Sequence, residues 1–233
     1  ASLYLFGDMR SDVAFPNQTN YYANTFRHEI EQFTISANNS GNQNYWAHHY
    51  KGIIRANTVI EKGKELFGND EAVQKYIAEA EVLRALFYFN LVRAYGGVPI
   101  IMDIPQEYTD SRGHLRASTE DVYIRILNDL TTAIESNNLY RSTNSGEKTP
   151  TGRVNKYAAE ALLGKVLLSM PNDITEAAYP NVEAWKDISA NPNITVFYPE
   201  TTTTQYEAAK YYLEDVINNG GYELYPNFSE LFK

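Results

Sequence analysis

Residues Tyr76–Ile101 read YIAEAEVLRALFYFNLVRAYGGVPII, and the reading of this stretch decides the fold. Tyr76, Ala80, Leu83, Phe87, Leu91 and Ala94 recur at steps of three and four, the spacing that lines one side of an α-helix. Ile77, Leu86, Tyr88 and Val92 widen the stripe beyond what a surface helix needs, so the spacing predicts a long helix packed on two sides. Gly96-Gly97 ends it, because glycine takes a left-handed conformation without a Cβ clash, and Pro99 prevents resumption.

Upstream, Trp46, Tyr50, Ile53, Ile54, Asn57, Ile60, Lys64 and Phe67 mark a second long helix over 45–67, closed by Gly68. Asn69 or Asp70 is placed to cap the helix that follows, with Glu71 in its positive first turn. So short a connection makes the two helices antiparallel. Ser36–Asn44 is all small or amide-bearing and reads as an exposed loop. Before it, Tyr22, Phe26, Ile30, Phe33 and Ala37 permit a helix over 20–37, and residues 1–16 form a short irregular or helical opening closed by Pro16.

Downstream, Ile100–Arg116 reads as an extended crossing segment. Ser118 and Asp121 form a capping box for a helix to about 137, with Val122, Ile126, Leu127, Leu130, Ala133 and Ile134 inside. After a polar loop over 136–152, a helix over 155–170 carries Ala158, Ala161, Leu162, Lys165, Val166 and Ser169, and its small face (Ala158, Ala161, Gly164) invites close approach by another helix. Prolines restrict 172–202 to one short turn near 182–189. A last helix over 204–218 presents Tyr206, Ala209, Tyr212, Leu213, Val216 and Ile217, with one more turn in the tail at 228–232. No strand pattern emerges. The expectation is an all-α chain of antiparallel helical pairs (45–67 with 70–96, 118–137 with 153–170, and a partial pair at 204–219), a tetratricopeptide-like scaffold forming a single domain over 1–233.

The chain has 233 residues, 20 Lys and Arg against 29 Asp and Glu, and a net charge of −9. With no basic stripe to follow a phosphate backbone, no nucleic-acid partner is expected. No cysteine is present, which excludes disulfides, thiolate metal sites and thiol nucleophiles. The chain opens without a basic segment followed by an apolar core, and no window offers the ~18–20 apolar residues of a membrane-spanning helix. Its most unusual feature is 19 Tyr, 10 Phe and 2 Trp, rings that suit both helix seams and sugar- or peptide-binding surfaces.

Neither a Gly-x-Ser-x-Gly elbow nor a glycine-rich phosphate loop occurs. Glu79, Glu81, Glu120 and Asp121 fall on polar helix sides, where solvation is the default for a carboxylate, so no catalytic residue and no enzyme activity is expected. His48 and His49 point about 100° apart on a helix and do not chelate together, while His28 and Glu31 read as a solvated face. No metal site and no cofactor are expected. The suggestive stretch is Asn42-Gln43-Asn44-Tyr45-Trp46 at the mouth of the polar loop. Amides satisfy sugar hydroxyls and an exposed indole or phenol stacks on the apolar ring face, and both chemistries occur here within five residues. Trp46 is either such a stacking plate or the first core residue of its helix.

The run Glu79–Pro99, EAEVLRALFYFNLVRAYGGVP, closely resembles the signature helix of the SusD/RagB family. Trp46, Tyr50, Ile53, Ala56 and Asn57 resemble the preceding helix of that family; Arg116, Asp121-Val122-Tyr123, Asp129-Leu130, Gly152–Lys156, Ala158–Leu163 and Gly221-Tyr222-x-Leu224 resemble later blocks, in order. The likeness covers the amino-terminal half of such a protein, the carboxy-terminal half being absent. It implies a tetratricopeptide-like fold and a surface-exposed outer-membrane lipoprotein that binds an oligosaccharide or polysaccharide. It also implies delivery of that ligand to a SusC-like TonB-dependent transporter, with membrane attachment only through a lipid anchor outside this chain. The ligand-binding residues it suggests are Trp46, Tyr45, Asn44 and Asn42, with Arg10 and Asp12 of the Asp8–Asp12 segment. Some relatives handle peptides, so a peptide-binding or protein-interaction scaffold with no carbohydrate affinity is the alternative.

Overall fold

The computed structural model describes residues 3–12, 14–16, 25–104, 114–141, 152–171, 202, 204–223 and 227. Among them lie two short 3₁₀ turns, Leu3–Leu5 and Asp8–Arg10, and six α-helices: α1 Thr25–Glu31, α2 Ser40–Phe67, α3 Glu71–Tyr95, α4 Thr119–Glu135, α5 Lys156–Ser169 and α6 Gln205–Asn219. No strand forms among the described residues; Pro99 with Arg116 and Tyr140 with Asn155 make isolated bridges. The expected turns near 182–189 and 228–232 lie outside the described residues.

The helix starts follow local chemistry. Asp70 accepts from the Val73 amide at 3.1 Å, Ser118 and Asp121 complete a reciprocal capping box, and Asn155 accepts from Ala158 at 2.8 Å. Gly96 ends α3 at φ 70° and Gly68 ends α2 at φ 52°. Beyond Gly96 the backbones nearly touch: a Cβ on Gly97 would sit 2.1 Å from the Ala117 carbonyl oxygen. Arg116 closes this junction, its guanidinium donating to the Gly97 and Tyr95 carbonyls at 2.7 and 2.8 Å.

α2 and α3 are antiparallel, with Gly52 against Phe87 and Gly63 against Ile77. α3 also packs on α4, α4 on α5 and α5 on α6. Gly164 admits Leu213 of α6 into the last seam, as its small size suggests. One continuous core runs through Ile53, Tyr88, Phe89, Leu91, Ile124, Leu127, Leu130, Leu163 and Leu167.

Several expected faces are displaced. On α3, Ala80 and Leu91 of the expected stripe and Ile77, Tyr88 and Val92 beside it are buried, but Tyr76 and Leu83 are 49% and 40% exposed, and the buried side also carries Ala78, Val82, Ala85 and Phe89. The helix is apolar nearly all round, so periodicity left its orientation open. A polar network sets it. Arg84 grips Asp129 of α4 through Nε at 2.8 Å and Nη2 at 2.7 Å, and donates Nη1 to Asn57 of α2 at 2.8 Å. Arg125 adds a contact to Asp129 at 2.5 Å. Asn57 in turn donates to the Ile101 and Asp103 carbonyls, and Tyr88 exchanges hydrogen bonds with Ile101 at 2.8 and 3.0 Å. Three helices and the crossing segment are thereby tied at one buried point. Burial alone would raise the Asp129 pKa, but Arg125 and Arg84 outweigh it and hold the carboxyl below its usual range.

Glu79 and Glu81, expected on solvated sides, are buried. Glu79 pairs with Arg153 at 2.8 and 2.9 Å. Glu81 is 6% exposed, and burial with the nearby Asp129 charge pushes its pKa up to about 7. A carboxyl whose folded pKa lies above its unfolded value destabilises the fold as pH rises from about 4.5 to about 7. Glu81→Gln is therefore expected to match wild type at pH 4 and to exceed it by roughly 3 kcal/mol at pH 8, read from urea midpoints at the two pH values.

The other corrections are local. α1 stops at Glu31 instead of reaching 37, because Phe33 turns to φ 58° and leaves the interior. His28, expected in solvent, is buried. α5 buries Val166 and Gly164 as expected, together with Ala159, Glu160, Leu163 and Leu167, while Ala158 is exposed; Lys156 pairs with Glu160 on its own helix and with Asp215 of α6 across the seam, at 3.0 Å each. On α6, Tyr206 and Ile217 are exposed and Gln205, Ala208, Ala209 and Tyr212 are buried.

Candidate functional site

Of the polar stretch Ser36–Asn44, only Ser36–Asn39 lies outside a helix. Asn39 caps α2 by accepting from Asn42 N at 2.9 Å while donating to the Phe26 carbonyl at 2.8 Å and Glu29 Oε2 at 2.9 Å, so the helix begins at Ser40. Gly41 fits because a Cβ there would lie 2.8 Å from the Phe26 ring. Asn42, Asn44, Tyr45 and Trp46 consequently ride the first two turns of a helix, and helical geometry divides them. Asn42 and Trp46, four apart, share a face; Asn44 lies roughly 160° away from Trp46.

Tyr45 is 2% exposed, its ring against Phe6 at 4.4 Å and His49 at 4.2 Å. It is a core residue of this corner. Trp46 is 37% exposed and packs on Tyr50 at 4.8 Å and on the edge of Tyr95 at 5.1 Å. Tyr95 donates to Asn42 Oδ1 at 2.7 Å, and burial pushes its phenol up to about 12, so it stays a neutral donor. His49 donates Nδ1 to the Tyr45 carbonyl at 2.7 Å, and burial lowers its pKa. The result is a rim of one indole, one phenol and one amide carried by two rigid helices.

Asn44 is exposed, with its carbonyl accepting from His48 at 2.6 Å. Asp12 is exposed, and the Arg10 guanidinium covers the Phe33 ring at 4.8 Å. The leading segment reaches the rim through Phe6, 6.3 Å from Tyr95. Tyr95 was missed by sequence reasoning, which placed it only as the last residue before a glycine stop. The antiparallel pairing held the signal, since a register with Gly52 against Phe87 brings the start of α2 beside the end of α3. Among the described residues no cluster of three or more metal-ligating side chains forms, and no helix is long and apolar enough to cross a membrane.

Helical hairpins in series, with an aromatic rim where the first pair begins and ends, define a repeat-type helical scaffold. A SusD-like family model, described as "Starch-binding associating with outer membrane", matches residues 3–168, and the chain belongs to that family. A SusD-like protein of Bacteroides ovatus is 28% identical over 204 residues, covering 86% of this chain and 32% of the relative. SusD-like protein P38 of Formosa agariphila is 29% identical over 163 residues, covering 66% of this chain and 31% of that one. The chain thus spans about a third of the length of these relatives. A crystal structure with xylogluco-oligosaccharide matches at TM-score 0.65 and 27% identity, covering 88% of this chain and 35% of that one. A laminarin-binding SusD-like protein matches at TM-score 0.59 and 28% identity, covering 91% and 38%. These structures share the helical, tetratricopeptide-like arrangement.

Proposed function

We propose that this chain is the helical unit of a surface glycan-binding protein, which holds an oligosaccharide or polysaccharide without cleaving it and delivers it to a SusC-like TonB-dependent transporter in the outer membrane. In this reading residues 1–233 form one helical domain, to which the remaining length of the relatives adds further ligand contacts. The observation that carries the proposal is Trp46: a large ring left partly in solvent on a rigid helix, edged by Tyr95 and an amide. Its exposed face suits the apolar face of a pyranose, and Asn42 offers polar atoms to the hydroxyls. A high affinity is unnecessary for capture beside a transporter: one or two stacked rings at about 1.5 kcal/mol each supply about 1.5–3 kcal/mol, and hydrogen bonds to the hydroxyls supply the rest of the roughly 4 kcal/mol of a millimolar site. The ligands named for two of the solved relatives support the carbohydrate class.

The test is affinity electrophoresis of the chain through gels containing laminarin, xyloglucan or starch, with reducing ends assayed afterwards. Retardation in at least one gel, with no new reducing ends, is expected. Unretarded migration in all three, combined with co-purification with a SusC-like transporter, would instead favour a protein-interaction scaffold.

A further inference from the structure

The other end of α3 carries a second, differently built feature. An open groove of about 360 Å³ is lined by Asp70, Glu71, Ala72, Lys75, Tyr76 and Tyr140. That volume lies in the range of small-ligand sites, roughly 300–1,000 Å³. Tyr76 and Tyr95 are separated along α3 by nineteen residues, roughly 28 Å at the helical rise, so this groove is remote from the Trp46 rim.

The groove is held from behind by one side chain. Arg153 pairs with the buried Glu79 through Nε at 2.8 and 2.9 Å and through Nη2 at 2.6 Å, and its guanidinium lies 4.7 Å from the Tyr76 ring and 5.7 Å from the Tyr140 ring. Tyr140 is pinned again by its backbone, whose carbonyl accepts from Lys156 N at 2.8 Å. Lys75 Nζ lies 5.1 Å over the Tyr140 ring. An ion pair thus fixes two phenols that still face solvent, Tyr76 with 49% of its surface. Rings set in advance lose little conformational freedom when something stacks on them.

We infer that this groove is a second saccharide subsite, taking a neutral pyranose unit against Tyr76 and Tyr140. Asp70, whose Oδ1 caps α3, keeps its second carboxylate oxygen, and the exposed Glu71 lies 3.9 Å from Lys75, so both still offer acceptors to sugar hydroxyls. Their two negative charges against the single Lys75 disfavour phosphate, sulfate or uronate groups. The inference rests on the carbohydrate reading of the Trp46 rim and extends it: two plates roughly 28 Å apart would engage separated units of one polysaccharide, so that a long chain binds more tightly than a short one.

The test is a ¹⁵N-labelled sample of the chain titrated with laminari-oligosaccharide and with xylogluco-oligosaccharide, following amide shifts. Shifts in two groups are expected, one around Asn42–Trp46 and Tyr95, the other around Asp70–Tyr76 and Tyr140. Tyr76→Ala should weaken the second group by roughly tenfold and leave the first unchanged, while Tyr76→Phe, which keeps the ring, should retain binding. Shifts confined to the Trp46 rim would overturn the second subsite and leave the proposed function standing. Shifts confined to the groove would support the subsite and remove the Trp46 rim as the site. Absence of both would overturn the two together.

Discussion

Replacing Asp129 with alanine is expected to remove about 3–5 kcal/mol of stability, against the roughly 5–15 kcal/mol of a typical domain. Asp129 is buried and receives Arg84 at two positions and Arg125 at a third. Truncating it leaves two guanidinium groups in the interior without their hydrogen-bonded counter-charge, with Glu81 the remaining carboxyl near them, itself disfavoured as an anion by burial. Asp129→Asn keeps the shape but not the charge, and should be nearly as damaging. Asn57→Ala removes a single partner of Arg84 and two carbonyl contacts, and should cost less, about 1.5–3 kcal/mol. Urea midpoints followed by far-ultraviolet circular dichroism separate these variants. An Asp129→Ala chain within about 1 kcal/mol of wild type would mean that the arginines find water when the carboxylate is gone.

The second large effect concerns binding. Trp46→Ala is expected to weaken glycan affinity by about tenfold or more, the equivalent of one stacking contact of about 1.5 kcal/mol, with Trp46→Phe intermediate. Because Trp46 also packs on Tyr50 and Tyr95, its removal exposes those rings and should lower stability modestly. The comparison that matters is affinity at a temperature where both variants are fully folded. Tyr95→Phe, which loses only the hydrogen bond to Asn42, should change affinity by a smaller factor, since the ring edge remains. Equal affinity in Trp46→Ala and wild type would move the glycan site elsewhere on the protein.

Among the described residues the order of the helices and the α2–α3 hairpin were legible because they depend on local signals: caps at Asp70 and Ser118, and glycine stops at Gly68 and Gly96. The faces were harder. On α3 the apolar residues surround the axis, and the orientation is chosen by Arg84 meeting Asp129 across forty-five residues of sequence, which no periodicity encodes. The start of α2 was hidden for a related reason. Asn39 looks like loop composition, and it becomes a cap only when Phe26 and Glu29 arrive to satisfy its amide. The same shift separates the suggested ligand-binding residues, turning Tyr45 inward and Trp46 outward. Arg84, Tyr88 and Gly96-Gly97 of the family motif hold the scaffold together, whereas Trp46 and Tyr95, which lie in the same family-like blocks, form the rim, and a single sequence leaves open whether such rings pack or bind.

Trp46 and Trp185 are the two tryptophans of the chain, so Trp185→Phe leaves Trp46 as the single indole reporter. Titration of that variant with laminari- or xylogluco-oligosaccharide, followed by intrinsic fluorescence, asks whether the exposed ring meets sugar. A saturable change in emission at roughly millimolar ligand, lost in the presence of excess polysaccharide immobilised on beads, is the expected result. Emission that stays constant while the same sample demonstrably binds the oligosaccharide would contradict the Trp46 rim as the place where the glycan is held.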